Sequence, residues 1–220
     1  MSGEKRKKRK GRKQYALTMI AWFAVLLLGN TVLNIAPIFP SQAWRLVERR
    51  LCIDRTRVIW QEKTGLEQWK EHGYYLAANE DVAVFAELEF FLGYGWEYRD
   101  CYLIDQNPQE PIHARWYRSF SATVNGPVNK NEFFLVGYVN SADVTAVEYE
   151  IHWGNDTVTT VEIPPEDYVY DGGDRYYVYD GYELVRDCRA GTLEYDIWDI
   201  YAVARDSQGE VLYRESLMGY

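Results

Sequence analysis

Apolar and polar positions change their spacing twice along the chain. From Gln14 to Trp44 no charged residue occurs, and Ala16 to Ala36 is a nearly unbroken apolar run. A helix needs about 20 such residues to cross a bilayer, so a transmembrane helix is expected over residues 15–37. Asn30 and Asn34, four apart, share one face of that helix, where they either meet a partner helix or sit near the outer interface. Pro37 and Pro40 end it, because proline lacks an amide hydrogen and disfavours helix in the residue before it. Over residues 38–53 the spacing of Trp44, Val47 and Leu51 predicts a short juxtamembrane helix with Ser41 as its N-cap.

Beyond residue 53 the period falls to two. Thr56–Glu62, Val82–Phe90 and Trp96–Ile104 read as strands, with Val82, Val84, Ala86, Leu88 and Phe90 facing inward; Leu66–His72 reads as one short helix. Gly93 and Gly95 punctuate a turn, and Gln106–Pro111 is a loop. Residues 54–119 are thus expected to form a small β-rich subdomain. From near Phe120 the strands multiply: Glu132–Val139, Ala146–Trp153, Thr157–Ile163, Asp174–Tyr179, Asp196–Arg205 and Glu210–Arg214. In the second of these, Val147, Tyr149, Ile151 and Trp153 alternate with Glu148, Glu150 and His152, which places His152 on a solvated face beside two glutamates. The near-repeat Tyr168-Val-Tyr-Asp-Gly172 and Tyr177-Val-Tyr-Asp-Gly181 suggests the two arms of a hairpin. Short strands at regular spacing with Asn, Asp and Gly turns predict an antiparallel β-sandwich over residues 120–220, and a mainly β fold class after the membrane helix.

Gly137 to Glu148, followed by its strand, and Tyr201-Ala-Val-Ala-Arg-Asp-Ser-Gln-Gly-Glu-Val-Leu-Tyr213 resemble the small Ig-like C-terminal modules of uncharacterised single-pass membrane proteins from Gram-positive bacteria. The resemblance covers residues 120 to 217 and rests on turn and core patterns. It implies an Ig-like sandwich at the cell surface and brings no catalytic residues with it. The Tyr/Asp-rich stretch Glu166–Glu183 is an insertion relative to that pattern.

Charge fixes the expected orientation. The net charge is -9, yet the first 14 residues hold eight Lys/Arg against Glu4, a surplus of seven, so the remainder carries -16. Residues 1–14 are a basic tail expected in the cytoplasm, since cations before a span stay inside and residues after it cross. The small-residue stretch Ser41-Gln-Ala43 lies too far beyond Leu26-Leu27-Leu28 for signal-peptide cleavage, so the segment reads as a retained signal-anchor. The bilayer is the expected partner of residues 15–37. An acidic body of this kind is not a nucleic-acid binder, because phosphate binding needs clustered Lys/Arg.

Cys52, Cys101 and Cys188 all fall on the outer side, where disulfides persist; Cys101 with Cys188 is the candidate pair, and unreactive thiols are the alternative. None has metal-ligand spacing. Motifs for serine, metallo-, nucleotide and calcium-loop chemistry are missing from the sequence, so no catalytic residue and no cofactor are assigned. Asp171, Asp174 and Asp180 are weak calcium candidates, although Asp and Gly also suit tight turns. The 19 tyrosines and 8 tryptophans are the more suggestive excess, and Trp96, Tyr98, Tyr170 and Tyr179 are candidate binding-surface aromatics. The expected function is a non-enzymatic, membrane-anchored interaction or sensing module of the cell envelope, binding an envelope protein or wall component. The alternative is an envelope hydrolase or metal-dependent enzyme using acidic residues of the 166–183 region.

Overall fold

The structure is a computed structural model and describes residues 15–25, 28–29, 37–67, 70–91, 95–107, 109–122, 129–185 and 197–218. It is mainly β, with three antiparallel four-stranded sheets. The chain divides into two compact units: residues 1–53, 63–73 and 87–100, and residues 54–62, 74–86 and 101–220.

In the first unit, helix α1 is described over residues 15–25, and residues 28 and 29 are helical as well. Leu17, Met19, Ile20, Trp22, Phe23 and Val25, which between them look to every side of α1, are all exposed. No helix among the described residues is long and apolar enough to cross a membrane. The basic tail, residues 26 and 27, and residues 30–36 with Asn30 and Asn34 lie outside the described residues. Helix α2 (Pro40–Leu51) buries Trp44 and Val47 of the stripe that the spacing predicts and leaves Leu51 half-buried. Its N-cap is Phe39 rather than Ser41: Pro40 takes the first helical position, where the missing N–H costs nothing, and the Gln42 side chain accepts from Ile38 N–H (2.7 Å) and Phe39 N–H (3.1 Å). Cys52 closes the helix in the left-handed region. Just before α2, the Pro37 carbonyl accepts from Trp96 N–H at 2.6 Å, which ties the segment to the sheet that follows.

That first sheet is a meander, β1 (Arg57–Glu67), β2 (Lys70–Ala78), β3 (Val82–Phe91) and β4 (Gly95–Asp105), in spatial order 1-2-3-4. The expected helix over Leu66–His72 is overturned: Leu66 and Glu67 end β1 and Lys70 to His72 begin β2, with residues 68 and 69 outside the described residues. Locally the stretch has helix-forming Leu, Glu and Lys, but pairing along a long hairpin outweighs propensity. The inward face expected for β3 is only half the finding, because Ala83 to Glu89 are buried on both faces.

The second sheet has the order β5 (Ile112–Ala122), β6 (Asn129–Val139), β10 (Asp174–Asp180), β9 (Tyr168–Asp171), and the third β12 (Val211–Ser216), β11 (Ile197–Arg205), β7 (Ala146–Trp153), β8 (Val158–Glu162). The second sheet therefore begins at Ile112, before the boundary expected near Phe120. Its β5 pairs with β6 from Ile112↔Val139 to Ala122↔Asn129. In the second unit this sheet is the middle layer. Phe133, Leu135 and Val139 on one face join Tyr149, Ile151, Ile200 and Ala202 of the third sheet in one core. On the other face Phe134, Val136 and Tyr138 join Tyr74, Leu76 and Phe85 in a second. A strand buried on both faces is commonly filled by a continuous apolar run, which Phe133–Val139 supplies.

Two glycines are dictated by geometry. Gly172 (φ +61°) and Gly173 (φ +109°) form the two-residue turn between β9 and β10, where positive φ at both positions suits glycine. The two Tyr-Val-Tyr-Asp-Gly copies indeed lie in the two arms of this hairpin, with Asp174 paired to Asp171 and Tyr177 to Tyr168. At Gly137 the constraint is space: a Cβ there would overlap the Tyr177 hydroxyl.

Candidate functional site

The outer face of the third sheet is set by the alternation of β7. Val147, Tyr149, Ile151 and Trp153 are buried, while Glu148, Glu150 and His152 look outward, as the period-two pattern requires. These groups are held in a lattice. Arg205 Nε donates to Glu148 Oε2 at 2.7 Å, and Arg214 Nη2 to Glu150 Oε2 at 2.7 Å. The Arg214 guanidinium lies 3.8 Å from the Tyr201 ring centroid, and the His152 ring meets Tyr201 edge to face at 5.4 Å.

At the end of this face the lattice opens into a cleft of about 350 Å³, lined by His152, Trp153, Asp156, Thr157, Trp198 and Asp199. A β-bulge makes it. The register of β11 on β7 shifts between Ile197, opposite Trp153, and Asp199, opposite His152, so Trp198 is the extra residue. Its indole is 61% exposed, whereas Ile197 and Ile200 on either side are buried. Trp153 is already satisfied, its Nε1 donating to Thr159 Oγ1 at 2.9 Å. Burial alone would raise the Asp199 carboxyl, but hydrogen bonds from the Tyr201 and Ser216 hydroxyls and the Ile200 N–H outweigh it and hold the group ionised, below the usual carboxylate range. Nε2 of His152 is buried and takes no hydrogen-bond partner from the protein. The cleft thus combines an exposed flat ring with two carboxylates, and the His152 nitrogen lies buried behind it.

A larger groove of about 690 Å³ lies by the β9–β10 turn and includes Asp54, Arg57, Asp81, Asp171 and Asp174. Several of its polar groups are already engaged. Arg57 donates to Asp171, the Tyr138 hydroxyl donates to Asp174 Oδ1 at 3.1 Å, and Asn79 Oδ1 accepts from the backbone of Asp81 and Val82, 2.9 Å each. Asp171 and Asp174 face each other across the turn, but Asp180 stands six residues further along β10, about 20 Å away at the rise of a strand. The three calcium candidates are therefore not brought together, and no group of three metal-ligating side chains occurs among the described residues.

Of the candidate aromatics, Tyr170 is 70% exposed. Trp96 is a correction: it is buried against Phe90, ring centroids 5.6 Å apart, because its neighbour Gly95 admits the Pro37 carbonyl and draws the chain over it. Tyr98 is half-buried beneath the Arg50 guanidinium, and Tyr179 packs on the core between the second and third sheets. Cys52 is exposed and unbridged, Cys101 lies half-buried on β4, and Cys188 lies outside the described residues. Trp198 was not among the sequence candidates, yet a signal for it exists. Ile197, Ile200, Ala202 and Ala204 are spaced three, two and two, and that one extra step is the bulge.

Comparison with protein families, curated proteins and solved structures finds no match for the chain.

Proposed function

We propose that the chain is a single-pass, membrane-anchored module of the cell envelope, non-enzymatic, with its β units on the outer side and an Ig-like sandwich that binds an envelope component. The observation that carries this reading is α1, whose large apolar side chains are exposed on every side, at 57% to 78% for those from Tyr15 to Val25. A helix apolar all round is stable where lipid or protein covers it, and the eight cations ahead of it favour an inward N-terminus. Two antiparallel sheets closed over one core support the sandwich. The enzymatic alternative receives no comparable support: Asp171 and Asp174 stand at the hairpin turn, while Asp180 stands at the other end of β10 with Asp167, whose carboxyl is raised by burial, Glu166 and Asp180, so the carboxylates of the 166–183 region form no single group.

The exposed thiol of Cys52, just after α2, supplies the test. With Cys101 and Cys188 replaced by serine, a membrane-impermeant maleimide applied to intact cells should label Cys52 to the level reached after permeabilisation. Labelling only after permeabilisation would overturn the orientation, and release of the chain from membranes by alkaline carbonate would overturn the anchor.

A further inference from the structure

We propose that the cleft beside Trp198 binds a neutral pyranose ring of a glycan; this rests on the reading of the sandwich as a binding module and names its class of ligand. Four features select that class. First, the bulge turns a large flat indole out of the sheet at the cleft, and the pleat gains nothing from doing so: Ile197 and Ile200 alone fill the core side. The carbon-bound hydrogens on one face of a sugar ring cover such an indole. Second, the polar groups around it are acceptors: Asp156 and Asp199 carry carboxylate oxygens that can take the hydroxyls at the ring's edge.

Third, charge excludes the polyanions. Two aspartates and no Lys or Arg line the cleft, so phosphates, nucleic acids and acidic glycans meet repulsion there. Fourth, topology disfavours a peptide added as a strand. The cleft sits on β7 and β11, which are the two interior strands of the order β12-β11-β7-β8, and their ladders are already filled. Strand addition needs an open edge. An ion is no better suited, because these side chains do not form a metal-ligating group. The volume, about 350 Å³, falls at the small end of ligand sites, which run from about 300 to 1,000 Å³, the scale of one or two sugar rings.

The test is calorimetric titration of the full chain in lipid nanodiscs with chitotetraose and with cellotetraose, two neutral pyranose oligomers. Saturable binding of at least one is expected. Trp198→Ala should weaken it about tenfold or more, as loss of an aromatic anchor does. Trp198→Phe should restore most of it, and Tyr170→Ala, on another sheet, should leave it unchanged. Trp198 is exposed, so its variants are expected to melt with the parent. Absence of saturable binding with both oligomers, or binding indifferent to Trp198→Ala, overturns the site. The maleimide labelling of Cys52 is read separately: outward labelling without oligosaccharide binding removes the glycan site and leaves the anchored module standing, and the reverse removes only the orientation.

Discussion

Along β6, Phe133 to Val139 present apolar or aromatic groups to both sides; along β3, Ala83 to Glu89 are buried just as fully, yet Glu87 and Glu89 follow Ala83 and Phe85 on one face. Two strands with equal burial are thus filled with opposite chemistry. In β6 the driving force is area removed from water, and each side chain added to either core contributes without needing a particular partner. In β3 the carboxylates lose hydration and require specific compensation. His72 on β2 supplies it with both ring nitrogens, Nδ1 at 3.3 Å from Glu87 and Nε2 at 3.4 Å from Glu89. Arg99 on β4 stands 3.8 Å and 3.5 Å from the same two groups. Nδ1 is within hydrogen-bond reach of Glu87, whereas the Nε2 contact with Glu89 is a contact of charges, made when the ring is protonated. Apolar burial tolerates substitution by volume, and ionic burial does not tolerate the loss of one member.

The largest effect should come from the ionic side. His72→Leu takes the nearer cation from two buried carboxylates and should cost about 3 kcal/mol in chemical denaturation. Arg99→Met should cost about 1 kcal/mol, because that guanidinium is 46% exposed and water replaces part of its role. If His72→Leu melts with the parent, β3 is not held by its ion cluster and the contrast with β6 fails.

Next comes the packing of β6 itself. Gly137→Ala drives a Cβ into the Tyr177 hydroxyl, which cannot retreat because its ring fills the core between the second and third sheets. A loss of about 2 kcal/mol is expected. Gly137→Ala combined with Tyr177→Leu should recover part of it relative to Tyr177→Leu alone, since the hydroxyl and the ring carbon that crowd that Cβ are both gone and only the His113 carbonyl remains close. Failure of the pair to couple would place the strain elsewhere.

The polar exception inside that apolar layer is smaller. Tyr149 and Tyr177 face each other through their hydroxyls at 2.8 Å, and Tyr149 also donates to the Val136 carbonyl at 3.2 Å. Burial raises both phenols well above their ordinary value, so neither ionises in the folded chain at accessible pH. The sign follows: above about pH 10 the unfolded chain releases these protons and the folded chain keeps them, so stability falls as pH rises past the ordinary value of 10.0. Tyr149→Phe should cost about 1 kcal/mol near neutrality and flatten that alkaline loss.

These residues also mark what the sequence could and could not disclose. The alternation of Val147, Tyr149, Ile151 and Trp153 names both faces of β7, because one face meets water and period two then separates the residue types. The same logic misplaces Glu87 and Glu89: they alternate like a solvated face, and only the strands beside them, carrying His72 and Arg99, make burial affordable. Pairing of distant strands is invisible in local spacing. For the same reason Leu66–His72 keeps a helical appearance until a long hairpin claims it. The cleft was half legible, with His152 set on the outer face by period and Trp198 lost because a bulge breaks the period that would have located it.

The finest comparison sets one partly buried acid against the cluster on β3. Glu62, on β1, is partly buried, and desolvation, then Asp180 and Glu132, push its carboxyl above the ordinary 4.5. The folded state therefore holds this proton more tightly than the unfolded chain. Above the raised folded value Glu62 is ionised in both states and its cost is present in full; as pH falls toward the ordinary value, the folded chain takes up the proton first and the cost disappears. Glu62→Gln should accordingly stabilise the protein at pH 7, by a few tenths of a kcal/mol once water's screening of a half-exposed group is allowed for, and the gain should vanish near pH 4. Urea titrations of both chains at the two pH values measure it. An equal gain at both would mean that the amide improves packing or hydrogen bonding, and that charge repulsion around Asp180 and Glu132 plays no part.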